Sequence, residues 1–166
     1  MLDDPFGTPD VGVVILAEPV NVGSVELPAV GLLDEVIPAR GTTRQTFTDV
    51  GYGISSDRNG VPTNEVLRKQ AVQRYQPGNN PSDGSGIFHG LTDTHLMLHN
   101  IPNKNNGSGC PGDSGSPLLL GSTDTVVAVQ SGAYFTGRDL RLCGRVVAIE
   151  ARVETPQVLD WLAQFL

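Results

Sequence analysis

The sequence predicts an all-β fold closed by a single C-terminal helix. Three observations carry that expectation. Twenty glycines and twelve prolines stand beside only 5% aromatic residues in a chain of 166, so turns are frequent and strands short. Stretches of β-forming residues alternate with clusters of Gly, Pro, Asn, Ser and Asp along most of the chain. Only the last dozen residues place their apolar side chains near the helical period.

The elements follow in order. Val11-Gly12-Val13-Val14-Ile15-Leu16 is a nearly continuous apolar run, as in a strand buried on both faces. Residues 18–40 are broken by Pro19, Pro28 and Pro38 and read as a connector. Residues 43–54 hold β-formers and end in the turn Gly51-Tyr52-Gly53, and 55–62 read as a loop. Residues 68–75 form a further strand, 76–86 a loop, and 94–99 a short strand. Turn residues fill 102–117. Strands are expected again at 118–120, 125–129 and 145–153. Thr155 then suits a helix N-cap and Pro156 the first helical position. Val158, Leu159, Leu162, Phe165 and Leu166 supply the apolar face of that helix, with Trp161 beside them.

A chain of this length is one domain by size and can bury a core. Its formal net charge is −7, from eighteen acids and eleven bases, with no basic run, so nucleic acid and anionic membranes are not expected partners. No apolar stretch approaches the ~18 residues of a membrane span. Residues 1–5 have neither the basic start nor the apolar core of a signal peptide. Two cysteines, Cys110 and Cys143, are too few for a structural zinc site, and no cofactor or metal is expected. Their spacing leaves two buried thiols and one disulfide equally open.

Gly112-Asp113-Ser114-Gly115-Ser116-Pro117 is the sharpest feature. A serine hydroxyl is a weak nucleophile that needs a positioned base and backbone N–H donors for the developing oxyanion. Flanking glycines let the backbone turn so that the N–H groups of Gly112 and Ser114 can converge. The same composition also describes an ordinary polar turn.

The segment Gly109-Cys110-Pro111-Gly112-Asp113-Ser114-Gly115-Ser116-Pro117-Leu118 resembles the nucleophile loop of the chymotrypsin/trypsin family of serine proteases, with a cysteine four residues before the serine. It departs from the family at Ser116, where a second glycine is usual. Pro9-Asp10-Val11-Gly12-Val13-Val14-Ile15-Leu16, continuing Ala17-Glu18-Pro19-Val20, is similar to the family's strand that opens with the catalytic aspartate. Gly51-Tyr52-Gly53 resembles its Gly-Trp-Gly turn, and Ser131 falls where a serine supports the aspartate. Glu150-Ala151-Arg152-Val153 and Val158-Leu159-Asp160-Trp161-Leu162 resemble its last strand and closing helix.

The resemblance implies the second six-stranded antiparallel β-barrel of a trypsin-like protease, with a C-terminal helix and most of the first barrel absent. Residues 1–18 would then be the last strand of the first barrel, 19–40 the inter-barrel connector, 41–154 the C-terminal barrel and 155–166 the helix. It implies Asp10 and Ser114 as catalytic residues and Gly112 and Ser114 as oxyanion donors. Ser108, six residues before Ser114, would lie at the base of the substrate pocket, with Ser131, Ala133 and Ala148 on its walls. Because Ser108 is uncharged, a neutral pocket favouring apolar or aromatic P1 residues is expected. The sequon Asn106-Gly107-Ser108 is read as chance, because a glycan there would crowd the pocket. Cys110 and Cys143 would pair, closing a loop of about thirty residues that stabilises by roughly 3–4 kcal/mol in the chain-entropy model. Asp113 would lack the new N-terminus that is its partner in activated relatives. A polypeptide substrate or protease inhibitor is the implied partner, and a secreted location the implied compartment, with the signal peptide upstream of Met1.

One component is missing. The family orders its triad His, Asp, Ser, but no histidine precedes Asp10. His89, His95 and His99 all lie between Asp10 and Ser114. That is the subtilisin order, yet Pro117 does not suit a helix carrying the serine. The α/β-hydrolase order fails too, because no histidine follows Ser114 and residue 116 is not glycine. The three histidines are expected at surface loop and strand positions, without a catalytic role. The expectation is therefore a serine endopeptidase truncated before its histidine and inactive as it stands. A catalytically silent trypsin-like module that only binds is the other reading, though it has no chemical need for Asp10, Ser114 or the loop glycines.

Overall fold

The computed structural model describes residues 8–37, 45–56, 62–63, 69–74, 91–100, 109–135 and 146–166. Their order is α1 (Leu32–Val36), β1 (Thr46–Gly51), β2 (Ser55–Ser56), β3 (Pro62–Thr63), β4 (Lys69–Arg74), β5 (His95–Asn100), β6 (Pro117–Leu120), β7 (Val126–Phe135), β8 (Val146–Arg152) and α2 (Pro156–Leu162). Six strands make one antiparallel sheet in the order β4-β1-β6-β7-β8-β5, and β2 pairs with β3 in a small ribbon. This is the all-β fold expected, with its closing helix. The edges β4 and β5 approach one another, but no ladder joins them among the described residues, so the sheet is not a hydrogen-bonded closed barrel.

The core follows from side-chain alternation and double-sided burial. Phe47, Leu96, Leu98, Leu118, Val127, Ala128 and Ala148 form its centre, and Leu33 and Ile37 cover it from α1. Every residue of β8 is buried, because β7 and β5 flank it and other elements cover both faces. A second cluster, Val126, Val153 and Val158, seats α2 on the sheet. Thr155 caps α2 as expected, its Oγ1 accepting from the N–H of Val158 at 3.3 Å.

Two expectations are corrected. Residues 11–16 are not a strand: they run as irregular chain, with Val14 84% and Ile15 72% exposed. Only Val11 of that run packs, against the α2 cluster. An apolar run becomes a strand only where another strand offers a ladder, and none does so here among the described residues. The connector also contains α1, hidden in sequence by its five-residue length. It is fixed in place by Arg152, whose guanidinium donates to Asp34 of α1 at 2.7 Å, to the Thr92 carbonyl at 2.6 Å, and to Glu154. Further along, the N–H of Glu26 reaches the Asp124 carbonyl at 2.9 Å and docks the connector beside the β6–β7 turn.

Candidate active site

Ser114 sits on two successive tight turns. The N–H of Asp113 donates to the Cys110 carbonyl at 3.0 Å, with Pro111 and Gly112 as central residues. The N–H of Ser116 donates to the Asp113 carbonyl at 2.8 Å, with Ser114 and Gly115 between. Gly112 has φ +98° and Gly115 φ +84°, both at the third turn position, where a type II turn needs a positive φ. Sequence and geometry agree here: glycine is the residue that adopts this conformation without strain. The result exposes Ser114 at a corner. Among the described residues, the N–H groups of Gly112 and Ser114 donate to no backbone acceptor.

The loop is held at three places. Gly115 N–H donates to the Gln130 carbonyl at 2.7 Å, and Gln130 N–H to the Ser116 carbonyl at 2.9 Å, which fastens it to β7. Ile54 N–H reaches the Pro111 carbonyl at 3.0 Å. Finally, the Asp113 carboxylate accepts from the N–H of Gly53 at 2.7 Å and of Cys110 at 2.8 Å. In place of the N-terminus that is its partner in activated relatives, two backbone donors hold Asp113. The turn Gly51-Tyr52-Gly53 is glycine-rich for the same reason: a Cβ at either glycine would overlap the Asp113 carboxylate. Ser116, which departs from the family's glycine and immediately precedes β6, donates its hydroxyl to Oδ1 of Asp49 on β1 at 2.9 Å.

Asp10 is brought to the same strand. Its Oδ2 accepts from the Ser131 hydroxyl at 2.7 Å across 121 residues of sequence. Ser131 immediately follows Gln130, so adjacent residues of β7 hold Asp10 and the Ser114 loop. Ala133 and Ala148 are register partners on β7 and β8, with Ala148 fully buried. Ser108 and Cys143 lie outside the described residues, and none of the described cysteines is a free thiol. No group of three His, Cys, Asp or Glu side chains among the described residues is arranged to hold a metal ion.

His95 stands apart from this arrangement. His95 was expected near the surface, but it is buried on β5, its Nδ1 2.7 Å from the Thr94 hydroxyl. β5 is the far edge of the sheet, three strands from β6, which carries the chain out of the Ser114 loop. His89 and the side chain of His99 lie outside the described residues.

Two residues of this region carried no role in the sequence reading. Glu150 on β8 is fully buried, and Gln130, its register partner on β7, is 5% exposed. Burial pushes the Glu150 carboxyl well above the usual carboxylate range, and the charges of Asp49 and Asp113 add to the shift. The signal was one acid in the otherwise apolar run Val146-Val147-Ala148-Ile149-Glu150.

Gln130 and Ser131, adjacent on β7, thus hold the Ser114 loop and Asp10 respectively. The Trypsin family model matches residues 4–162, nearly the whole chain, and the chain belongs to that chymotrypsin/trypsin-like family. No match was found among curated proteins.

Proposed function

We propose that this chain is the nucleophile-bearing part of a serine-type endopeptidase. Ser114 Oγ would attack the scissile carbonyl carbon, and its proton would pass to an imidazole and then to the leaving amine. Asp10 would orient that imidazole, and the N–H groups of Gly112 and Ser114 would receive the oxyanion. The observation that carries the reading is the exposed Ser114 beside two N–H groups that, among the described residues, have no backbone acceptor, in a loop held at three places.

The imidazole is not assigned to His89, His95 or His99, and the chain alone is expected to be inactive. A fluorophosphonate probe tests this. Labelling of Ser114 should be slow, and absent in Ser114→Ala. Rapid stoichiometric labelling of the chain alone would make one of its own histidines the base.

Cys110 and Cys143 pair in this proposal, which ties the nucleophile loop to the pocket wall and places the protein in an oxidising, secreted setting. That Cys110 is not a free thiol supports it. Mass spectrometry of non-reduced peptides should recover the 110–143 cross-link, and two alkylatable thiols would refute it.

A further inference from the structure

In the β7–β8 register Gln130 stands opposite Glu150. Directly opposed residues of an antiparallel pair share a face, with Cβ atoms about 5 Å apart, so their side chains reach one another. Both residues are buried, Glu150 completely. Oε1 of Gln130 and both carboxylate oxygens of Glu150 have no hydrogen-bond partner among the described residues. Buried polar atoms are ordinarily paired. All three of these are acceptors, so turning the side chains cannot pair them with one another; a donor has to be added. Arg152, two residues along β8, is already held by Glu154, Asp34 and the Thr92 carbonyl.

A proton on Glu150 is the smallest donor that fits a closed core. It turns one carboxylate oxygen into an O–H within reach of the Gln130 side-chain carbonyl, and it removes a buried charge. The surroundings favour that form. Burial raises the proton affinity of Glu150, and the charges of Asp49 on β1 and Asp113 in the Ser114 loop raise it further. β5 opposes Glu150 with the apolar Leu96, while the neighbouring His95 opposes Ala151, on the other face of the sheet. Gln130 links the pair to the corner. Its backbone carbonyl accepts from the N–H of Gly115 at 2.7 Å and its N–H donates to the Ser116 carbonyl at 2.9 Å, so it holds both residues that follow Ser114. Its carboxamide lies against Gly109, where any Cβ would overlap it, five residues before Ser114.

We propose that Glu150 is a positioning residue for the Ser114 loop: as an uncharged acid it donates its O–H to the Gln130 side-chain carbonyl, and loss of that proton to solvent releases Gln130 and slackens the corner. The acid–amide bond stands independently of what Ser114 does; its effect on reactivity rests on Ser114 being the nucleophile. An ionised Glu150 would face Gln130 Oε1 as acceptor against acceptor, so the carboxamide turns away and its hold on the Gly109 side of the loop is lost. The corner is therefore tightest where Glu150 is protonated and loosens as pH rises through its titration.

Carboxyl-carbon NMR of the full chain follows Glu150 directly, its resonance identified by its loss in Glu150→Gln, and it should titrate well above the ordinary carboxylate range. Glu150→Gln keeps a side-chain donor at every pH and serves as the reference. Through the Glu150 titration, hydrogen exchange at the Gly115 N–H should become roughly five- to tenfold faster in the unmodified chain than in Glu150→Gln at the same pH, as expected for the loss of one hydrogen bond. The N–H of Leu120, bonded to the Thr125 carbonyl at 3.0 Å at the far end of the β6–β7 hairpin, should not follow. Titration of Glu150 in the ordinary carboxylate range, Gly115 exchange alike in the two chains, or an equal change at Leu120 overturns the proposal. Over the same pH interval, fluorophosphonate labelling of Ser114 in added imidazole should fall several-fold behind that of Glu150→Gln. Gly115 exchange coupled to Glu150 without any labelling of Ser114 would support the acid–amide bond and count against the nucleophile assignment alone. Labelling of Ser114 with Gly115 uncoupled from Glu150 would count against the acid–amide bond alone.

Discussion

Removing the Asp113 carboxylate should loosen the nucleophile loop by a predictable amount. The side chain accepts two backbone hydrogen bonds, at 2.7 Å from Gly53 and 2.8 Å from Cys110. Bonds to a charged acceptor contribute roughly 1.5–3 kcal/mol each. Asp113 is half-buried, so the lower end applies, giving about 3 kcal/mol for Asp113→Ala. In a protein of this size each kcal/mol shifts the melting temperature by roughly 2–4 °C, so the variant should melt roughly 6–12 °C lower. Asp113→Asn keeps one acceptor oxygen and turns a donor toward the other N–H, so it should fall between the two. Thermal unfolding followed by circular dichroism gives both values. An Asp113→Ala melt within about 2 °C of the unmodified chain would show that the two bonds do not anchor the loop.

Glu150 makes stability depend on pH. Its folded-state affinity for a proton is raised, so its contribution is full below the unfolded value of about 4.3 and is lost as pH rises through the folded value. Glu150→Gln should therefore match the unmodified chain near pH 4 and exceed it by roughly 1–3 kcal/mol near pH 8, by urea unfolding at each pH; a pH-independent difference would contradict the assignment. Thr155→Ala should cost about 1 kcal/mol through loss of the α2 cap, read from the same unfolding curves, and no loss would mean the long 3.3 Å bond contributes nothing. Hydrogen exchange should find residues 12–16 unprotected, because they pair with no strand among the described residues; strong protection in a monomer would show that they have found a ladder.

The Ser114 loop was readable because its backbone geometry dictates its spelling. Gly112 and Gly115 sit where the backbone needs a positive φ, and Gly51 and Gly53 sit where Asp113 leaves no room for a Cβ. The strands were readable wherever β-formers met turn residues, as at β1, β6 and β8. Residues 11–16 misled because burial is a property of the neighbours: Val13, Val14, Ile15 and Leu16 make a strand only beside another strand. Helix α1 was hidden between Pro28 and Pro38, and at five residues it is held by Leu33 packing and the Arg152–Asp34 bond more than by helical propensity. The buried pair Gln130 and Glu150 could not be seen because partners 20 residues apart meet only through the β7–β8 register.

In the proposed function, Ser114 and its loop are competent and need only an imidazole. Free imidazole added to the chain supplies that base directly. Fluorophosphonate labelling should accelerate with imidazole concentration, map by peptide mass to Ser114, and vanish in Ser114→Ala. A labelling rate unmoved by imidazole, or adducts spread over other serines, would contradict the account.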